Sequence, residues 1–340
     1  MTKRFVWTGL LFSATAFLVL FFGANAQAKK FTLHCAMIQG PVNSVFELYE
    51  EKQNKARAEA AVKMATGHDL EIIMHKQLVK ASDVLDAVRD GRVDIGVQGA
   101  MYRGDLTVLN AMAFPVILPY EKCPVIEPKL LPIYEEVLRD DFDVVMLGMG
   151  YWPRQMLLSR KPAATFEDLK GVKFRCHSYD LLQLTKSAGG SPVEMPYMEV
   201  YLALQRGAID GAVSSMSGMA GQKWFEVAKH VNWWPFGTVV YFNIANKKAW
   251  SKLPEGVQRA IKEVYMNSGH ETWTMSDLED QRSKAEYTEK YGVTHHFPTE
   301  AEINQLKKMV GPVIADWKKR AGPRAGQVMN VFNEVLGTNY

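Results

Sequence analysis

The sequence predicts an α/β protein of two lobes, and three of its features say so. Strand-like and helix-like segments alternate from residue 31 onward, the pattern of mostly parallel sheets with helical crossovers. One helix–turn–strand unit occurs twice, with Ala87, Gly91, Asp94 and Val97 matched in spacing by Ala203, Gly207, Asp210 and Val213. A helical pattern from Pro254 to about Glu289 is longer than one lobe requires and is expected to lie along both.

In chain order, residues 31–37 read as the first strand and 38–44 as the loop after it. Residues 45–65 read as a helix, because Val45, Leu48, Tyr49, Ala56, Ala60 and Met64 fall near helical spacing and Gly67 supplies a stop. A strand over 70–74, a short helix over 82–90 ended by Gly91, and a strand over 93–98 follow. The Pro-rich stretch from Leu109 to Pro132 reads as loop and short helices. A strand over 143–148 runs into 151–158, the first crossing between lobes. In the second lobe a strand ends on Arg175, a helix covers 179–188, and the repeated unit comes again. Residues 238–245 form a strand that crosses back. Ser251 and Pro254 start the long helix, Thr299 to Glu302 forms a capping box for the next, and a last helix covers 327–336. The expected limits are 1–28 as signal peptide, 29–152 as lobe I with about 245–265 returning to it, 153–244 as lobe II with about 266–310 packing on it, and 311–340 as C-terminal helices.

The chain of 340 residues has room for two medium domains with cores of their own. Its N-terminus reads as an export signal. Lys3 and Arg4 precede an apolar run over 5–23, and small residues around Ala24–Ala28 place cleavage after Ala28. The run is long for such a signal, so an uncleaved membrane anchor is the alternative. Removing this segment takes Lys3 and Arg4 out of a net charge of +3. The remainder is too small to point to nucleic acid or an acidic membrane surface. Cys35, Cys123 and Cys176 cannot all pair. Buried free thiols are expected, with a Cys35 bridge to Cys176 or Cys123 as the alternative.

No GxSxG, HExxH, Walker loop, GxGxxG or CxxC pair is present, and the eight histidines are scattered apart from His295-His296. No enzyme, cofactor or metal site is therefore expected. Arg175 stands apart, because in open α/β folds ligands lie beyond the carboxyl ends of strands. A guanidinium there grips a carboxylate with two parallel hydrogen bonds; the plainer reading is an ion pair with Asp168 or Glu199. Trp152, Arg154 and Gln155 occupy the crossing, either as ligand contacts or as hinge packing and solvated charge. Trp233 and Trp234 either wall the same cleft or belong to a core. Gln39, Gln77 and Gln98 each follow a strand-like run and are candidate polar contacts.

Residues 167–175, with the run from Gly190 to Gly211, resemble the central signature of the solute-binding proteins of tripartite ATP-independent periplasmic (TRAP) transporters, the DctP-type family. Residues 223–229 and 246–255 continue the resemblance, which extends over nearly all of the mature chain. It implies a periplasmic-binding-protein fold with two mixed sheets flanked by helices, hinge crossings and a ligand between the lobes. It further implies a periplasmic protein, a small organic anion as ligand, a TRAP permease as membrane partner and a monomer. The family's carboxylate-binding arginine falls on Arg175 and an aromatic that packs on the ligand falls on Tyr197. A polar position, often Asn in the family, falls on Ser214, which puts the usual acid-sugar or dicarboxylate preference in doubt. The family's second arginine falls near Arg154 or Gln155. One firm arginine among aromatics leans toward a monocarboxylate with an apolar or aromatic body. A sulfonate or dicarboxylate binder, a sensor's receptor, an enzyme of the same fold and a non-opening scaffold are the alternatives.

Overall fold

A computed structural model describes residues 27–38, 44–76, 78–113, 117–163, 165 and 167–339. The chain begins with β1 (Lys30–Met37), α1 (Asn54–Thr66), β2 (Asp69–Lys76), α2 (Val84–Arg89), β3 (Ile95–Gly99), α3 (Cys123–Asp140) and β4 (Val144–Arg154). It continues through β5 (Met156–Ser159), β6 (Lys173–Cys176), α4 (Tyr179–Ser187), β7 (Ser191–Glu194), α5 (Val200–Gln205), β8 (Gly211–Ser214), α6 (Met216–Gly221) and β9 (His230–Asn232). It closes with β10 (Thr238–Asn246), α7 (Lys247–Ser251), α8 (Glu255–Tyr291), β11 (Thr294–His296), α9 (Glu300–Ala321) and α10 (Ala325–Leu336). The signal-peptide assignment lies outside the described residues.

Two mixed sheets result, ordered β2-β1-β3-β10-β4 and β11-β9-β5-β8-β6-β7. In the first, β1 is parallel to β2 and β3, and β10 runs antiparallel to β3 and β4. In the second, β6 is parallel to β7 and β8, and β5 runs antiparallel to β8 and β9. The repeated unit builds the same corner twice. Gly91 and Gly207 turn the chain at φ +75° and +70°, a conformation costly for any residue with a Cβ. The Asp94 carboxylate then accepts from His34 N–H at 2.8 Å, and the Asp210 carboxylate from Lys173 N–H at 2.9 Å. Each aspartate thus pins the strand after the turn to its parallel neighbour, Asp94 at the middle of β1 and Asp210 at the head of β6.

The long helix α8, about 55 Å at 1.5 Å per residue, lies along both sheets' helical layers. Its middle is polar and small rather than apolar. Tyr151 N–H donates to Thr272 Oγ1 at 3.1 Å, and Ser276 Oγ donates to Tyr151 O at 3.4 Å. Its far end stacks Tyr287 on Phe225 of the second lobe, with ring centres 5.2 Å apart. Glycines set how closely helix and strand approach. A Cβ on Gly148 would run into the Tyr265 carbonyl, with Met266 N at 2.8 Å, and one on Gly269 would sit 3.0 Å from Met149 O.

Two expectations change. The Pro-rich stretch holds the 18-residue helix α3, with Pro128 and Pro132 inside it. Internal prolines cost backbone hydrogen bonds. Here Ile126, Leu130, Tyr134, Val137 and Leu138 make a continuous buried stripe that outweighs the loss. The lobe limits shift as well. β10 belongs to the first sheet from Thr238, so the return comes before about 245. α8 still rests on β4 at Ser276, so the part of it beyond 266 packs on lobe I as well. Cys35, Cys123 and Cys176 are buried free thiols.

Gly148→Ala should therefore lower the urea midpoint by an amount equivalent to about 1–3 kcal/mol or more, the usual cost of overpacking. Gly311→Ala is the control, since a Cβ there meets nothing within 4 Å. In mid-helix α9 it should stabilise by about 0.5–1 kcal/mol. Equal midpoints for the two variants would refute the close helix–strand contact.

Candidate functional site

A cavity of about 130 Å³ lies where the C-terminal ends of β3, β6 and β8 face the crossings between lobes. Met101 and Tyr102 follow β3, Arg175 and His177 stand at the end of β6, and Ser214 and Ser215 stand at the end of β8. Trp152 and Gln155 come from the first crossing, Val239 from the return strand, and Tyr197 and Met198 from the turn before α5. The walls thus come from both lobes.

Arg175 is only 6% exposed. Its Nε donates to Met195 O at 3.3 Å and its Nη1 to Val213 O at 3.1 Å. Neither Asp168 nor Glu199 forms an ion pair with it, and among the described residues no carboxylate lines the cavity. Burial draws its pKa down, opposed only weakly by Tyr102, Cys176 and Tyr197. Two of the five N–H donors are used by carbonyls, which leaves one on Nη1 and two on Nη2. That end of the guanidinium is the edge that matches a carboxylate.

Tyr197 donates its hydroxyl to Gly218 O and packs against Trp224, with ring centres 5.4 Å apart. Burial pushes the phenol's pKa up. Ser214 is buried at the end of β8. Trp152 both packs and lines: it stacks on Phe46 at 5.0 Å and meets Tyr241 edge-on at 4.9 Å. Gly99 makes room for this arrangement, since a Cβ there would lie 2.8 Å from Tyr102 and 3.2 Å from Trp152.

The remaining expected residues are placed elsewhere. Arg154 turns away from the cavity toward α8, where Nη2 meets Asp277 at 2.7 Å and Nε stands 3.8 Å from Asp280. Its guanidinium also sits 4.6 Å from the Tyr120 ring centre. Gln155, one residue on, faces the cavity instead and donates to Pro153 O at 2.8 Å. Gln98 is spent within lobe I, accepting from Leu85 N–H and donating to Ala81 O and Gly99 O. Trp233 donates to His295 and stacks on Phe297 at 5.4 Å. Trp234 packs on Phe236 beside the separate apolar cluster of Phe174, Leu181 and Leu184. Gln39 and Gln77 lie outside the described residues. Sequence reasoning missed Tyr102 and His177. His177 carried a usable signal in its position, two residues beyond Arg175 and just past the end of the same strand.

A family model described as bacterial extracellular solute-binding protein, family 7 (DctP) matches residues 51–320. The chain belongs to that family, whose members are solute receptors rather than enzymes. It is 24% identical over 258 residues to the C4-dicarboxylate-binding periplasmic protein DctP of Rhodobacter capsulatus, covering 75% of this chain and 78% of that one. Among solved structures it is similar to an extracytoplasmic solute receptor of Bordetella pertussis binding pyroglutamic acid. The TM-score is 0.77 at 22% identity, over 89% of this chain and 100% of the other. A TRAP periplasmic solute-binding protein of Desulfovibrio salexigens with bound orotic acid gives 0.76 at 21% identity, over 90% and 99%. These likenesses establish the two-lobed fold.

The placement of Arg154 has a pH-dependent consequence. Burial pushes the Asp280 carboxyl well above its usual range, and Arg154 is the group that pulls it down. Removing that cation raises the folded-state pKa further, so stability is lost as pH rises. Arg154→Gln should destabilise the fold more at pH 8 than at pH 5 in urea titrations while costing ligand affinity far less than Arg175→Ala does, since the Arg154 side chain points away from the cavity to Asp277. Equal loss at both pH values, or loss of ligand binding, would contradict this assignment.

Proposed function

We propose that this protein is an extracytoplasmic receptor that captures an organic acid, a monocarboxylate with an apolar or aromatic body, and delivers it to the membrane subunits of a TRAP permease. It is exported through its N-terminal segment, cleaved after Ala28, and acts as a monomer. The observation that carries this reading is the buried Arg175 guanidinium with no carboxylate beside it among the described residues. Burying an unpaired charge costs several kcal/mol, and a bound carboxylate supplies the missing partner. Trp152, Met101, Met198 and Val239 form apolar walls, and Gln155 offers an uncharged amide where a second cation would serve a second acid group. The volume of about 130 Å³ is close to the roughly 150 Å³ of an engineered cavity that holds benzene, so the body is small. Pyroglutamic and orotic acid, the ligands of the two solved relatives, each carry one carboxylate on a small ring.

In this mechanism the anion meets Arg175 on lobe II through the Nη1–Nη2 edge. Groups of lobe I and the crossings then complete its shell, and the lobes close over it. Exclusion of water strengthens the ion pair. A dicarboxylate is the second reading, favoured by the name of the Rhodobacter capsulatus relative. Its second acid group would rest on neutral donors such as Gln155.

The protein, unfolded and refolded to strip ligand, should show a rise of several degrees in its unfolding midpoint with one member of a panel of keto, aromatic, sugar-acid, dicarboxylic and sulfonic acids. A ligand at 100 times its Kd adds about 2.7 kcal/mol to the native state. Arg175→Ala should abolish the shift with the fold intact. Arg175→Lys should bind at least about tenfold more weakly, because a point charge lacks the paired edge. Unchanged binding in Arg175→Ala would remove the reading.

A further inference from the structure

We propose that the ligand carries a neutral hydrogen-bonding group, a hydroxyl, oxo or amide, beside its carboxylate, and that His177 recognises it. The proposal rests on the carboxylate reading of Arg175. Arg175 is the third residue of β6 and His177 the first residue beyond that strand, and both line the cavity. Both imidazole nitrogens are shielded from solvent, and neither has a hydrogen-bond partner among the described residues. The charged and titratable groups that face the ring across the cavity are Arg175, Tyr102 and Tyr197.

Among the described residues no carboxylate faces the ring to favour the imidazolium. Burial first, and the Arg175 charge second, push the His177 pKa down to about 3. The ring is therefore neutral at the pH of any bacterial exterior, with one donor and one acceptor. Leaving both unmatched in a desolvated site is costly, and a purely apolar acid does leave them so. A hydroxyl or an amide can accept from the ring N–H or donate to the other nitrogen, whereas an oxo group can only accept. A site built to bond a polar group discriminates strongly against the analogue that lacks it.

The test is calorimetric titration of the refolded, ligand-free protein with pairs of acids differing in one group: lactate and propionate, mandelate and phenylacetate, pyroglutamate and cyclopentanecarboxylate. The substituted member of at least one pair should bind about tenfold tighter or more. His177→Phe should erase that preference, and His177→Gln, which keeps a donor and an acceptor, should retain part of it. Affinity should stay flat from pH 5.5 to 8. The inference falls if unsubstituted acids bind as tightly as their partners and His177→Phe changes neither, and the Arg175 reading then stands. It also falls if affinity climbs as pH drops, which would mean a protonated ring. If no acid of either kind binds the wild-type protein, both readings fall together.

Discussion

A guanidinium held out of water, with no counter-ion among the described residues, governs the arrangement of this molecule. Arg175 is fixed at the end of β6 by the carbonyls of Met195 and Val213, one from the turn before α5 and one from β8. Carbonyl dipoles orient the cation without neutralising it. The three neighbouring parallel strands of the second sheet must keep their register for those carbonyls to be in place. Asp210 secures that register by tying its strand to Lys173 at the head of β6. The repeated corner is thus a positioning device as well as a fold signature. Its counterpart at Asp94 holds β3 against β1, so that Met101 and Tyr102 face the guanidinium from the other lobe.

The second constraint is the backbone contact between α8 and β4. Gly148 and Gly269 let the helix lie almost on the strand, and Thr272 and Ser276 bond the Tyr151 backbone directly. The same strand then presents Trp152 inward and Arg154 outward, to Asp277 and Asp280 on the helix. Plain alternation would put Trp152 and Arg154 on one face; a register shift between Tyr151 and Arg154, opposite Val239, gives the division. A carboxylate pair on α8 therefore takes up the one cation of the crossing, and the neighbouring cavity is left with a single positive charge.

These details separate what was legible in the residues from what was not. The matched Gly91/Gly207 and Asp94/Asp210 pairs announced the two corners, because a left-handed turn and a carboxylate that ties a strand to its neighbour need those residue types. Arg175 was legible as a lone cation after a strand. The choice between Arg154 and Gln155 was not, since one residue of alternation reverses which faces the cleft. Trp233, Trp234 and Gln98 fit a cleft as well as a core by composition; only the partners His295, Phe236 and Leu85 N–H decide for the core. The helix α3 was hidden by its prolines, and the seam of α8 by having small polar residues where an apolar stripe was sought.

The single charge also bears on how such a receptor signals that it is loaded. A ligand shifts a two-state equilibrium only by its difference in affinity for the two states. In this cavity that difference is concentrated on one guanidinium, whose burial is unfavourable alone and favourable beside an anion. The aromatic and methionine walls add area but little preference for charge. An anion therefore favours the arrangement in which both lobes surround Arg175, and a neutral molecule of the same shape does not. Because the long helix touches β4 along its middle and Phe225 at its far end, a change at the cavity that moves one lobe against the other is also a change in the surface that α8 and both lobes jointly present.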